Sequence, residues 1–170
     1  MTISSGPMLV RCQQVWIESN GGTFEFFSVL GPPLLRLGYT AVGCDVRSAA
    51  VALHLLGHRR IALPDANFFF HEVRTLVDEF GFITICDLED VMNREIKFWK
   101  DGIRREAIQE WYRQMRNAQS WFLSFIGQQT GMSPPIFLNL MRDNAVLSAR
   151  EAVRYGLVHQ IMSEGELLGH

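Results

Sequence analysis

Cysteine is scarce in this chain: three in 170 residues, at Cys12, Cys44 and Cys86. An odd number at wide spacing, with no CxxC pair, points to neither a disulfide framework nor a zinc site, and a reducing compartment is the simpler reading. Missing too is any run of about 18 uninterrupted apolar residues, the length a membrane-spanning helix requires. Met1 to Pro7 has no charged segment leading into an apolar one, so no secretory signal is expected. Charge of one sign is also absent. The 16 Lys and Arg against 18 Asp and Glu leave a net charge of -2, with no clustered basic face to serve as a nucleic-acid footprint. What the chain has in quantity is apolar residues, 48% against 20% charged. A single domain of this size buries about 68–70% of its unfolded surface, so it needs no staple, and disorder and collagen are excluded.

The residues Met8 to Ile17 read as a buried strand that ends at the turn Ser19-Asn20-Gly21-Gly22. Thr23 to Leu30 reads as a short helix with Thr23 as its N-cap, interrupted at Gly31-Pro32-Pro33. Tyr39 to Cys44 is a β-like run. A small, apolar, buried helix follows, starting at Ser48 and ending at Gly57 as a C-cap glycine. Arg60 to Pro64 predicts a strand ending in a turn, and Asn67 to His71 a second strand whose last residue is the histidine. Strand, turn, helix and strand in this alternation argue for an α/β domain with largely buried strands.

From Asp87, apolar residues from Leu88 to Ile126 recur every three or four positions, the period of one long amphipathic helix or two. Asp101-Gly102 is the weak point, because glycine inside a helix costs about 1 kcal/mol relative to alanine. Gly131 stops the pattern. Ser133 then predicts the N-cap of a helix to Arg142, with proline in the first turn where its missing donor is harmless. Ser148-Ala-Arg-Glu151 is a capping box, opening a helix from Ala149 to Tyr155 that closes on Gly156; Leu157 to Met162 returns as a strand.

Singly, the polar residues that stand out have plain structural readings: Ser48 as a helix cap, His71 as a satisfied buried histidine, Asp143 as a turn residue. Together they admit a chemistry. A serine hydroxyl attacks only when a base takes its proton, and histidine, with an ordinary pKa near 6.5, suits that task at neutral pH. A carboxylate on the other ring nitrogen fixes the tautomer and stabilises the imidazolium. The oxyanion that forms needs backbone donors; Gly21-Gly22 and the Ala49 amide can expose N–H groups for it.

These residues carry a resemblance. Gly21-Gly22, then Ser48-Ala-Ala, then Ala62-Leu63-Pro64 with Asn67 and Phe-Phe-Phe-His71, then Arg142-Asp143, then Leu147 to Leu157 resemble, in order, the proteolytic subunit of the Clp protease. The likeness runs from about Val15 to Met162. It implies the ClpP/crotonase fold, repeated β-β-α units with a long amphipathic handle helix. The chain would be one domain over 1–170, with 1–86 and 132–170 as the head and 87–131 as the handle-type region. It also implies a serine endopeptidase that cleaves unfolded polypeptide through an acyl-enzyme. Ser48 is the implied nucleophile, His71 the general base, Asp143 the orienting carboxylate, and the Gly22 and Ala49 amides the oxyanion hole. Gly21, Thr23 and Phe24 would lie beside a substrate bound as an added strand. No metal or organic cofactor is implied. The implied partners are polypeptide substrate, further copies in stacked rings and an AAA+ ATPase, with no nucleic acid or membrane, in the cytoplasm or an organellar matrix or stroma.

The sequence departs from the family pattern at Asn20, where proline is usual, at Val46-Arg47, where small residues precede the serine, and by one extra residue between Asp143 and Ser148. The chain starts close to the glycine strand, without the family's N-terminal helix, strands and axial loop, and is longer between His71 and Asp143. A stripe with Trp99, Trp111, Tyr112 and Phe122 is expected to serve an oligomer, the alternative being a helical hairpin folded onto its own core. Two other functions stay open: a non-catalytic Clp-like structural subunit, favoured by these departures, and, further behind, a crotonase-like acyl-CoA enzyme, for which no suitable carboxylates stand in place.

Overall fold

The computed structural model describes residues 14–19, 33, 36, 38–77, 81–93 and 102–169, and the chain divides into two compact units, Met1–Phe68 with Leu147–His170, and Phe69–Val146. Among the described residues no helix is long and apolar enough to cross a membrane.

The first unit is built on a sheet of β1 (Gln14–Ser19), β2 (Thr40–Arg47), β3 (Arg59–Phe69) and β6 (Val146–Ser148), in that order, with β7 (Gln160–Ile161) also paired to β3. The β1–β2 and β3–β7 pairs are parallel. Between β2 and β3 runs α1 (Ala50–Leu55), every residue of which is buried, as its run of small and apolar residues predicts. Ala41, Val42, Val46, Val51, Ala62, Phe68 and Leu157 complete a core with essentially no exposed surface.

Several expectations are corrected here. β1 is not a buried strand: only Ile17 is buried, and Trp16 is 40% exposed. The turn expected at Pro64 is absent, and β3 is one continuous strand. Pro64 is exposed, and β7 ends opposite Ala62, so the missing proline N–H interrupts no bond to that strand. The return strand is only the two residues of β7. Gly57 does not cap α1 in a left-handed conformation; Leu56 is the C-cap. Its glycine is required by packing, since a Cβ there would sit 2.6 Å from the Ala41 Cβ and 3.0 Å from its backbone nitrogen. Gly57→Ala is therefore expected to destabilise by about 1–3 kcal/mol, as overpacked cores do; a urea midpoint equal to wild type would refute it.

After β6, α5 (Ala149–Arg154) opens on the expected capping box, with Ser148 Oγ accepting from the Glu151 N–H and the Glu151 carboxylate accepting from the Ser148 N–H at 2.8 Å. It closes at left-handed Gly156: the Leu157 N–H reaches back to the Ala152 carbonyl and the Gly156 N–H to that of Val153. A second box, Ser163 with Glu166, opens α6 (Glu164–Leu168).

The second unit begins with an antiparallel hairpin that the sequence reading did not anticipate, β4 (Arg74–Val77) with β5 (Gly81–Thr84). Then come α2 (Ile85–Asn93), α3 (Gly102–Thr130) and α4 (Pro134–Arg142). The amphipathic region is thus two described helices, α3 beginning at the glycine picked out as its weak point. Asp87 caps α2 by accepting from the Thr84 N–H and hydroxyl, both at 2.8 Å. The α3 stripe is used within the unit. Met115 packs with Ile85 and Leu88, flanked by Ile108, Trp111 and Tyr112, and Phe122 and Ile126 are buried. The described part of the stripe is thus partly covered within its own unit, with Trp111 and Tyr112 left half-buried, and Trp99 lies outside the described residues. Among the described residues of α3, Trp121 is an exposed large apolar side chain, 43% exposed and stacked on Phe125 at 5.3 Å. Ser133 is the N-cap of α4 but makes no side-chain cap bond, the proline-rich first turn offering few amide donors to accept from.

Candidate active site

Ser48 stands in the turn between β2 and α1, half-buried, with φ +55. Left-handed backbone is unfavourable for a residue with a Cβ by about 1–2 kcal/mol. The expectation that Ser48 caps the helix fails. Ala49 is the N-cap and no side chain caps α1, so the hydroxyl is not spent on the helix start. The Ser48 carbonyl accepts from the Val51 N–H at 3.0 Å, which ties the turn to the helix. A serine on a strained strand-to-helix turn, its hydroxyl left over by local structure, is the arrangement that presents a nucleophile. The neighbouring Arg47 folds back along its own strand, where Nε (3.0 Å) and Nη2 (2.7 Å) donate to Asp45 Oδ2. Gly21, Gly22, Thr23 and Phe24, the other implied substrate and oxyanion residues, lie outside the described residues.

His71 and Asp143 belong to the second unit, and the backbone there brings their segments side by side. The Phe70 N–H donates to the Ala145 carbonyl at 2.9 Å, and the Phe70 ring packs on Phe137 of α4 at 5.8 Å. Asp143 is the C-cap of α4 with its carboxylate exposed. Asn144 takes φ +50, its N–H meets the Met141 carbonyl at 3.2 Å, and the Ala145 N–H meets that of Leu140 at 2.9 Å. These are the bonds that close a helix through one left-handed residue, a position asparagine tolerates.

The His71 ring is half-buried against Phe69, with centroids 5.5 Å apart. Its Nδ1 lies 2.6 Å from the Glu72 carbonyl oxygen. A carbonyl only accepts, so Nδ1 carries the proton and the neutral ring keeps its lone pair on Nε2, the tautomer a general base requires. Burial holds the ring below the ordinary histidine range; the Glu72 carbonyl opposes this and Arg74 adds slightly to it. The group that orients His71 here is therefore a backbone carbonyl, not the Asp143 carboxylate.

Glu72 is the residue that sequence reasoning missed. Its carboxylate is buried beside the histidine, accepting from Cys86 Sγ at 3.6 Å and facing Arg142 Nε at 3.7 Å. No spacing marks it, because its neighbours come from α2 and α4. The Asp87 carboxylate is occupied in capping α2. Cys44 and Cys86 are free thiols, raised above the ordinary range chiefly by burial. Among the described residues no three His, Cys, Asp or Glu stand where they could hold a metal ion together.

No protein-family model matches the chain, and no curated protein matches it significantly. Among solved structures, it is similar to a point mutant of ClpP1 from Listeria monocytogenes, at a TM-score of 0.59 and 19% identity over 90% of this chain and 74% of that one. At that identity the likeness is one of fold. The chain has a ClpP-like α/β fold, with a mostly parallel sheet and a long helix.

Proposed function

We propose that this chain is a serine endopeptidase of the Clp type, cleaving unfolded polypeptide as a subunit of stacked rings fed by an AAA+ ATPase. The observation that supports this most is Ser48, a serine in left-handed backbone at a strand-to-helix turn of a ClpP-like fold, with its hydroxyl unused by the helix. In this reading His71 Nε2 takes the hydroxyl proton as Ser48 attacks the scissile carbonyl, and returns it to the leaving amine; water then releases the acyl group by the same route. The Gly22 and Ala49 amides hold the oxyanion. Gly21, Thr23 and Phe24 line the substrate strand. Asp143 is the orienting carboxylate once the His71 Nδ1–H exchanges the Glu72 carbonyl for it, a rearrangement that assembly would drive, since such triads tighten in the working complex.

The test is a fluorophosphonate probe together with mass in solution. Assembled wild type should be labelled and Ser48→Ala should not; labelling that persists in the alanine variant sinks the assignment. The bond from His71 Nδ1 to the Glu72 carbonyl favours a second reading, a non-catalytic Clp-like subunit. An assembled wild type that resists the probe selects that reading.

A further inference from the structure

The end of the first unit carries a pairing that peptidase chemistry leaves unused. The segment after Gly156 lays β7 on β3 over the two register pairs Ile61–Gln160 and Ala62–Ile161, flanked by bonds from the His159 N–H to the Arg60 carbonyl at 2.8 Å and from the Met162 N–H to the Ala62 carbonyl at 3.1 Å. The following α6 has no buried residue. Beyond the backbone, Arg59 reaches Gln160 Oε1 at 2.9 Å and Met162 Sδ at 3.6 Å, Gln14 Nε2 donates to the Leu167 carbonyl at 3.4 Å, and the imidazole of His159 lies along Arg60. Nδ1 is 3.2 Å from the Arg60 backbone nitrogen; Nε2 is 3.0 Å from Nε and 2.6 Å from Nη2 of its guanidinium. Both ring nitrogens thus face N–H donors of one residue, itself 7% exposed.

A neutral imidazole has one lone pair for such donors, and an imidazolium has none. Protonation would also set a second cation against a guanidinium that stays charged. The charged and titratable groups described around the ring are themselves cationic or neutral. From β3 come Arg60 and Arg59, the latter donating to Gln160 Oε1 at 2.9 Å, and from α1 comes His54, whose own charging His159 opposes. We propose that His159 and Arg60 form an acid-sensitive latch that fastens β7 and α6 to β3 while His159 is neutral and releases them when it is protonated. Burial, then Arg60, keep the ring below the ordinary histidine range, so the latch is closed at neutral pH and opens in mild acid.

Amide hydrogen exchange on the full chain tests this, at roughly pH 7 and roughly pH 5, values that bracket histidine titration. After correction for intrinsic rates, the His159 and Met162 amides should lose about tenfold or more of their protection in acid, while the Leu56 amide at the C-cap of α1 stays protected. His159→Gln offers an acceptor that does not titrate, and Arg60→Met removes the facing charge; each should abolish the pH dependence, and either suffices should the other fail to fold. The proposal is overturned if wild-type protection does not change with pH, if the α1 amide opens to the same extent, or if the loss persists in the folded variants.

Discussion

Ser48→Gly is expected to leave a protein at least as stable as wild type and wholly unreactive to the fluorophosphonate probe. At φ +55 the serine Cβ is strained by about 1–2 kcal/mol, which glycine relieves. Against that stands the larger entropy of the unfolded glycine chain, about 0.5–1 kcal/mol, so the net gain is on the order of 0.5–1 kcal/mol. Ser48→Ala keeps the strain and loses only the hydroxyl, so its stability should stay near wild type. In the proposed peptidase reading, loss of the Ser48 hydroxyl should remove essentially all turnover, a factor on the order of 10⁶ in a serine protease dissected this way. The pair of variants separates the two roles of one residue. A residue kept in a costly conformation, whose relief raises stability and abolishes reactivity, is held there for its chemistry. Denaturant unfolding of both variants beside wild type measures the strain, and a Ser48→Gly protein clearly less stable than Ser48→Ala would remove the argument from backbone conformation.

The other large effect is at His54. Its side chain has no exposed surface, packs edge-on to Phe68 at 5.1 Å, and neither ring nitrogen has a hydrogen-bond partner. Burial pushes its pKa down to about 3, with Arg60 and His159 adding to the depression and the Leu157 backbone offsetting it slightly. The unfolded chain takes up this proton near the ordinary pKa of 6.5, and the folded chain only near 3. Between those values the unfolded state binds more protons. The stability that neutral burial confers is therefore full above about pH 6.5 and declines as pH falls, by up to about 1.4 kcal/mol per pH unit. Over that window the loss reaches several kcal/mol, a large share of the 5–15 kcal/mol typical of a folded domain. His54→Leu, close in volume and without nitrogens to desolvate, should match or exceed wild-type stability at neutral pH and flatten the acid limb. Urea midpoints from pH 7 down to pH 4 decide it, and an acid slope equal to wild type would show that His54 is not its source.

The two histidines act on different scales. His159 is exposed and governs a short segment, whereas charging His54 requires the core to open, so local exchange should precede global unfolding as pH falls.

Much of the local structure was legible because its causes lie within a few residues. Ser148 and Glu151 reach each other across three positions wherever the chain turns into a helix, and the box forms as read. Ser163 and Glu166 carry the same signature and form the same box. Gly131 stops α3 in left-handed backbone, and the 3.6-residue period over 102–130 announces a helix whatever covers its apolar face. The order of the motifs around Ser48, His71 and Asp143 was enough to expect the ClpP-like fold that the structure has.

Tertiary structure decided what depends on neighbours far along the chain. Whether Gly57 is a cap or a contact is unreadable locally; Ala41, on the adjacent strand, makes it a contact. The Trp111 and Tyr112 stripe has one pattern for a partner or for its own core, and the structure packs it partly against Ile85, Leu88 and Met115. Ser48 reads locally as a helix cap, and the fold instead puts it in left-handed backbone between strand and helix, with Ala49 as the N-cap and no side chain capping α1. His71 carries no mark of its tautomer, which the Glu72 carbonyl sets, and His54 and His159 differ in pKa by burial alone in the main. Bonds that close within a turn of helix depend on residue types already adjacent in the chain, whereas burial, strain and protonation depend on what the fold carries to a residue from elsewhere.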